Sequence, residues 1–114
     1  MTNAEMRAAI AAAVSEVEGL TGYPKRPGSI NAGDAWPLWR GAARGDDHMA
    51  FTNSWMVVLA LPGDEDEADV WIDRYGVDLF VALSPLLFIT AVDPALLPMS
   101  GTDTYALQIT GITE

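Results

Sequence analysis

The chain has no cysteine among its 114 residues, which excludes disulfide staples and thiolate chemistry. A domain without staples suits a reducing cytoplasm, and no redox function is expected. Histidine occurs once, at His48 beside Asp46 and Asp47. General acid–base catalysis needs a pocket and a second positioned group, so a solvated or hydrogen-bonded structural histidine is the simpler reading. Positive charge is scarce: six Lys and Arg stand against sixteen Asp and Glu, a formal charge of −10. Nucleic-acid binding draws on clustered cations that release counterions from phosphates, so DNA and anionic membranes are disfavoured as partners. The acid excess keeps a small, apolar domain in solution. Residues 1–17 have only Arg7 for positive charge and no long apolar run, the pattern of neither a cleaved signal peptide nor a spanning helix.

Motif absences narrow the function further. No G-x-G-x-x-G follows a strand and no P-loop lysine motif occurs, which argues against a Rossmann fold and a phosphate cradle. Ser54, Ser84 and Ser100 lack the G-x-S-x-G setting of a serine hydrolase. Asp64, Glu65, Asp66, Glu67 and Asp69 resemble a cation cluster but lack the central glycine and terminal glutamate of a calcium loop. Carboxylates at a helix start stabilise its dipole by about 0.3–1 kcal/mol each at low salt, which accounts for them without a metal. No catalytic, cofactor-binding or metal-binding residue is assigned, and no enzymatic activity is expected.

What the chain does have is half of its residues hydrophobic, enough for one domain over residues 1–114 with a core of its own. Thr2 and Glu5 have the spacing of a capping box, ahead of Met6, Ile10, Ala13, Val14 and Val17 on one helical face. Gly19 is the expected stop. Arg7, Ser15, Glu16 and Glu18 take the opposite face, while Ala8, Ala9, Ala11 and Ala12 keep the helix thin enough for close approach. A short strand at residues 20–23 precedes a loop marked by Pro24, Pro27 and Gly28, with Lys25 and Arg26 as its basic spot. Residues 35–42 read as a strand in which Pro37 demands a sheet edge or a first position. Trp36 and Trp39 must point to opposite faces of it.

A polar hairpin loop with Arg44, Gly45, Asp46 and Asp47 leads back to the most apolar stretch. Ser54-Trp55-Met56-Val57-Val58-Leu59-Ala60-Leu61 reads as a mid-sheet strand covered on both faces. Pro62-Gly63 ends it; Asp64 as N-cap and Glu67 as its box partner start a helix whose stripe is Ala68, Trp71, Ile72, Tyr75, Leu79, Ala82 and Leu83. Val70, Val77, Phe80 and Val81 lie off that stripe, more apolar surface than one core requires. Gly76 in mid-helix costs about 1 kcal/mol against alanine and suggests a close backbone approach. Residues 86–92 read as a strand ended by Pro94 and Pro98, residues 100–103 as a turn, and Tyr105, Leu107 and Ile109 alternate with Ala106, Gln108 and Thr110 in a last strand. The expected fold is α+β: a mainly antiparallel sheet of four to five strands with two helices packed on one face.

An alanine-rich first helix, Tyr23-Pro24, a tryptophan strand with a charged loop, the strand from Trp55, the acid-capped helix from Asp64 and the closing Tyr105-Ala106-Leu107-Gln108-Ile109 strand follow in order. Over almost the whole chain this sequence of elements resembles the tail terminator proteins of long-tailed, non-contractile bacteriophages. The resemblance implies a structural virion subunit, made in the host cytoplasm and located in the tail and neck. Such subunits form a hexameric ring that caps the tail tube, ends its polymerisation and joins it to the head-completion or stopper protein, with DNA as passing cargo. A small acidic chaperone or adaptor acting as a dimer and a head-closure neck protein are the alternatives.

The residues expected at subunit or ring interfaces are Trp36, Trp39, Arg40, Arg44, Asp46, Asp47, Val77 and Phe80. Of the two tryptophans, one is expected outward beside Arg40, because Trp and Arg are enriched at buried contact centres. The competing reading is that the subunit itself covers both faces of that strand.

Overall fold

A computed structural model describes residues 2–44, 51–99 and 102–113. The elements are α1 (Asn3–Ser15), β1 (Thr21–Gly22), β2 (Asp34–Arg44), β3 (Phe51–Ala60), α2 (Glu65–Leu83), β4 (Phe88–Met99) and β5 (Thr102–Thr113). The strands form one sheet in the order β1-β2-β3-β5-β4, antiparallel except for the parallel pair β1 and β2. The fold is α+β, and the apolar residues 57–60 lie buried on both faces of the central strand β3.

Registers divide the sheet into two faces. Ala35-Leu59-Leu107-Pro94, Pro37-Val57-Ile109-Val92 and Trp39-Trp55-Gly111-Ile89 form cross-strand rows on one side. Met6, Ile10 and Val14 of α1 and Ala68, Tyr75, Leu79 and Leu83 of α2 join the inner residues of those rows in one core, so both helices cover this face. On the other side run Ala60-Ala106-Ala95, Trp36-Val58-Gln108-Asp93, Leu38-Met56-Thr110-Ala91 and Gly41-Ser54-Ile112-Phe88. Tyr23 and Ile30, from the segment linking β1 to β2, pack on Trp36, Val58, Ala60 and Ala106 and close one end of that second face.

The caps follow the sequence at α1 and depart from it at α2. Thr2 and Glu5 make the reciprocal capping box. Asp64 caps α2 by accepting from the Asp66 N–H, so the partner foreseen for it, Glu67, is replaced by a residue one position earlier. α1 ends at Ser15, before Gly19, because the chain tightens there: Val17 N–H donates to the Val14 carbonyl and Leu20 N–H to that of Val17. Gly19 then takes a φ of +94°.

The largest departure concerns Pro94 and Pro98, expected to end a strand that in fact continues through both to Met99. Leu61 N–H donates to the Tyr105 carbonyl, so Tyr105 turns its polar backbone toward β3 and away from Leu96 opposite it. Alternation then points the backbone nitrogens of Val92, Pro94, Leu96 and Pro98 outward at the sheet edge, where proline forfeits no ladder bond. Pro37 obeys the same rule. The Ala35 carbonyl accepts from Tyr23 N–H on the β1 side, so Pro37 faces outward too, beyond the end of the two-residue β1.

Candidate functional site

The hairpin strands β2 and β3 run past the rows that α1 covers. Trp39 is 44% exposed there, its indole N–H donating to Asn53 Oδ1 at 3.2 Å. Arg40 is the extra residue of a β-bulge, unpaired between Trp39 and Gly41, and Gly41 absorbs the distortion with a φ of +109°. Arg44 lies 5.4 Å over the exposed Phe51 ring. Trp36 is only 2% exposed, beneath Tyr23, Ile30 and the Arg26 guanidinium 5.8 Å from its ring. Coverage by the subunit itself therefore holds for Trp36 and fails for Trp39. Asp46, Asp47 and His48 lie outside the described residues, as do Ser100 and Gly101 of the second expected turn.

On α2, Val70, Val77 and Val81 are each more than 60% exposed. At about 100° per residue they fall within roughly 30° of the direction opposite the buried stripe. They form a straight apolar ridge on the outside of the helix layer. Phe80, half exposed, lies on the flank of α2 away from α1; Val92 and Leu96 of β4 are exposed on the same side of the sheet. Gly76 has open space where a Cβ would stand, so its expected close approach is absent within the subunit. Close backbone approach occurs instead at Gly22, where a Cβ would fall on the backbone of Ala11 in α1.

The second face of the sheet is open beyond the end that Tyr23 and Ile30 close. Leu38 and Phe88 are exposed, and Met56, Ser54, Thr110 and Ile112 are half-buried between them. Among the described residues, Asp93 on β4 is the one acidic residue of this open part; Asp34 lies buried at the closed end. Arg26 and Arg40 border the open part on the β2 side. The helix layer has the opposite balance: Asp64, Glu65, Asp66, Glu67, Asp69, Asp73 and Asp78 accompany α2 with Arg74 as its one cation.

A groove of about 350 Å³ at the start of β4 is lined by Thr52, Ser84, Pro85, Leu86, Leu87, Phe88, Ile112 and Thr113, none of them titratable near neutral pH. Among the described residues no three His, Asp or Glu side chains come together as a metal site, and no buried side-chain polar atom lacks a partner. The residues that stand out are therefore surface apolar groups and their charged borders. Of the residues expected at interfaces, the structure places Trp39, Val77 and Phe80 at the surface and Arg40 in the bulge and buries Trp36; Leu38, Phe88 and Ile112 of the open face were not among those expected. Strand alternation put Leu38 opposite Trp39, and only the sheet order shows which face lacks a second layer.

The chain matches no protein-family model and no curated protein.

Proposed function

We propose that the chain is a structural subunit of a bacteriophage tail neck, closing into a ring that caps the tail tube, ends its polymerisation and receives the head-completion or stopper protein. The observation that supports this reading best is a pair of unlike apolar surfaces on opposite layers of one subunit, the α2 ridge and the open sheet face. Two different patches on opposite sides make a head-to-tail contact, and head-to-tail contacts give a ring where the rotation between copies closes and a filament where it does not. A dimeric adaptor needs only one self-complementary patch.

The long axis supports a second kind of contact. The molecule measures 46 × 28 × 22 Å, with the β2–β3 and β4–β5 hairpins extending from opposite ends of the sheet. One hairpin end is then available to the tube and the other to the stopper. Trp39, Arg40 and Arg44 give the β2–β3 end an aromatic and cationic character suited to register with an adjacent ring.

Negative-stain images and light scattering of the purified protein, alone and with tail tubes, test the proposal. Rings at tube ends are expected, of six copies as the resemblance implies. A monomer or dimer that leaves tube length unchanged overturns it. Arg44→Ala combined with Asp46→Ala should keep the fold and weaken capping; unaltered tail joining would remove that hairpin from the contact.

A further inference from the structure

Resting on the ring reading, we propose that the subunit contact is a helix seated on a sheet: the α2 ridge of one copy packs on the open sheet face of the next. The face is a single β layer with Leu38 and Phe88 exposed on its outer strands and Met56 and Ile112 half-buried between them. A sheet with helices on one side gains a helix on the other, the common three-layer arrangement, with the third layer supplied by a second copy.

Dimensions and charge agree with this pairing. Val70 to Val81 spans about 16 Å of helix, and four strands span roughly 14 Å between their outer axes. Ridge against ridge would bring the carboxylates of two α2 helices together. Ridge against sheet sets them beside Arg26 and Arg40 instead. The two flanks of the ridge also differ: Asp66, Asp69 and Asp73 make one side wholly acidic, whereas the other holds Arg74 together with Glu67 and Asp78. The sheet face has Arg40 at its β2 margin and Asp93 at its β4 margin, so the favoured orientation sets the wholly acidic flank beside Arg40 and the flank that holds Arg74 beside Asp93.

Edge-to-edge pairing of sheets is the contact this arrangement replaces. Pro94 and Pro98 remove two of the outward donors of β4. At the other edge the Gly22 N–H already donates to Ser15 Oγ of α1 at 2.9 Å.

Mixing two assembly-dead variants tests the inference. Val77→Glu breaks the ridge and Leu38→Glu the face, with Phe88→Glu replacing the latter if it melts below the wild type. Each variant alone should run as a monomer by sedimentation velocity. A 1:1 mixture should give a heterodimer and nothing larger, since one intact ridge meets one intact face. A ring that survives either substitution, or a mixture that stays monomeric, overturns this contact and leaves the ring reading standing. A wild type that stays monomeric at high concentration and beside tube ends overturns both.

Discussion

Gly22 is where the alanine-rich face of α1 has its consequence. With Ala11 pressed against it, Gly22→Ala should destabilise the protein by about 1–3 kcal/mol in urea denaturation, whereas Gly28→Ala, which meets open space, should change little. Arg7 is the second residue whose role differs from its pattern. Placed by periodicity on the polar face of α1, it donates through Nη1 to the carbonyls of Pro37 (3.1 Å) and Pro24 (3.4 Å), with its guanidinium 5.5 Å from the Trp55 ring. Arg7→Ala should cost about 1–3 kcal/mol, and Arg7→Lys should recover only part, because an ammonium cannot reproduce a planar donor fork over an indole. Glu5 is held below its ordinary value of 4.5 by the Thr2 backbone N–H and then by its side-chain hydroxyl. A carboxylate with a lowered folded-state pKa stabilises above its unfolded pKa and loses that contribution as pH falls through the folded value. The difference in melting temperature between wild type and Glu5→Ala should therefore shrink from pH 7 to pH 3.

Strand β4 shows at the scale of an element how a residue's meaning depends on its neighbours. Proline ends a strand that is hydrogen-bonded on both sides, but at an edge every second residue has its nitrogen in solvent. Both prolines fall on that register, and they blunt a twelve-residue strand that would otherwise template pairing with another chain. Pro94→Thr with Pro98→Thr should retain the hairpin and restore two outward donors. The expected result is faster aggregation by light scattering, independent of Val77. Helix α2 combines two stripes of unlike purpose. Ala68, Tyr75, Leu79 and Leu83 anchor it to the core, and the ridge opposite is held clear of the subunit's own sheet by the width of the helix.

For the whole molecule, segregation of charge is the organising feature. Acid groups collect on the helix layer, and among the described residues the open part of the sheet face has one carboxylate, Asp93, and is bordered by Arg26 and Arg40. A chain of net charge −10 resists self-association on average, so association needs a contact in which the acid-rich side of one copy meets the acid-poor side of the next. Double charge reversal belongs at this scale. Arg40→Glu should abolish assembly, and adding Asp69→Lys and Asp73→Lys should restore it, read as sedimentation coefficient.

Element type, the α+β class and the central place of β3 were legible in the sequence because periodicity and apolar run length report which side of each element is buried. The outward position of one tryptophan was legible as well, since alternation forbids a shared face. Which tryptophan it is was decided only by tertiary structure: Tyr23 and Ile30, thirteen and six residues before Trp36, fold back over that ring and leave Trp39 uncovered. The continuation of β4 through its prolines and the openness of the second sheet face were decided the same way. Both depend on strand order, and strand order is fixed by contacts between residues far apart in the chain that no local pattern contains.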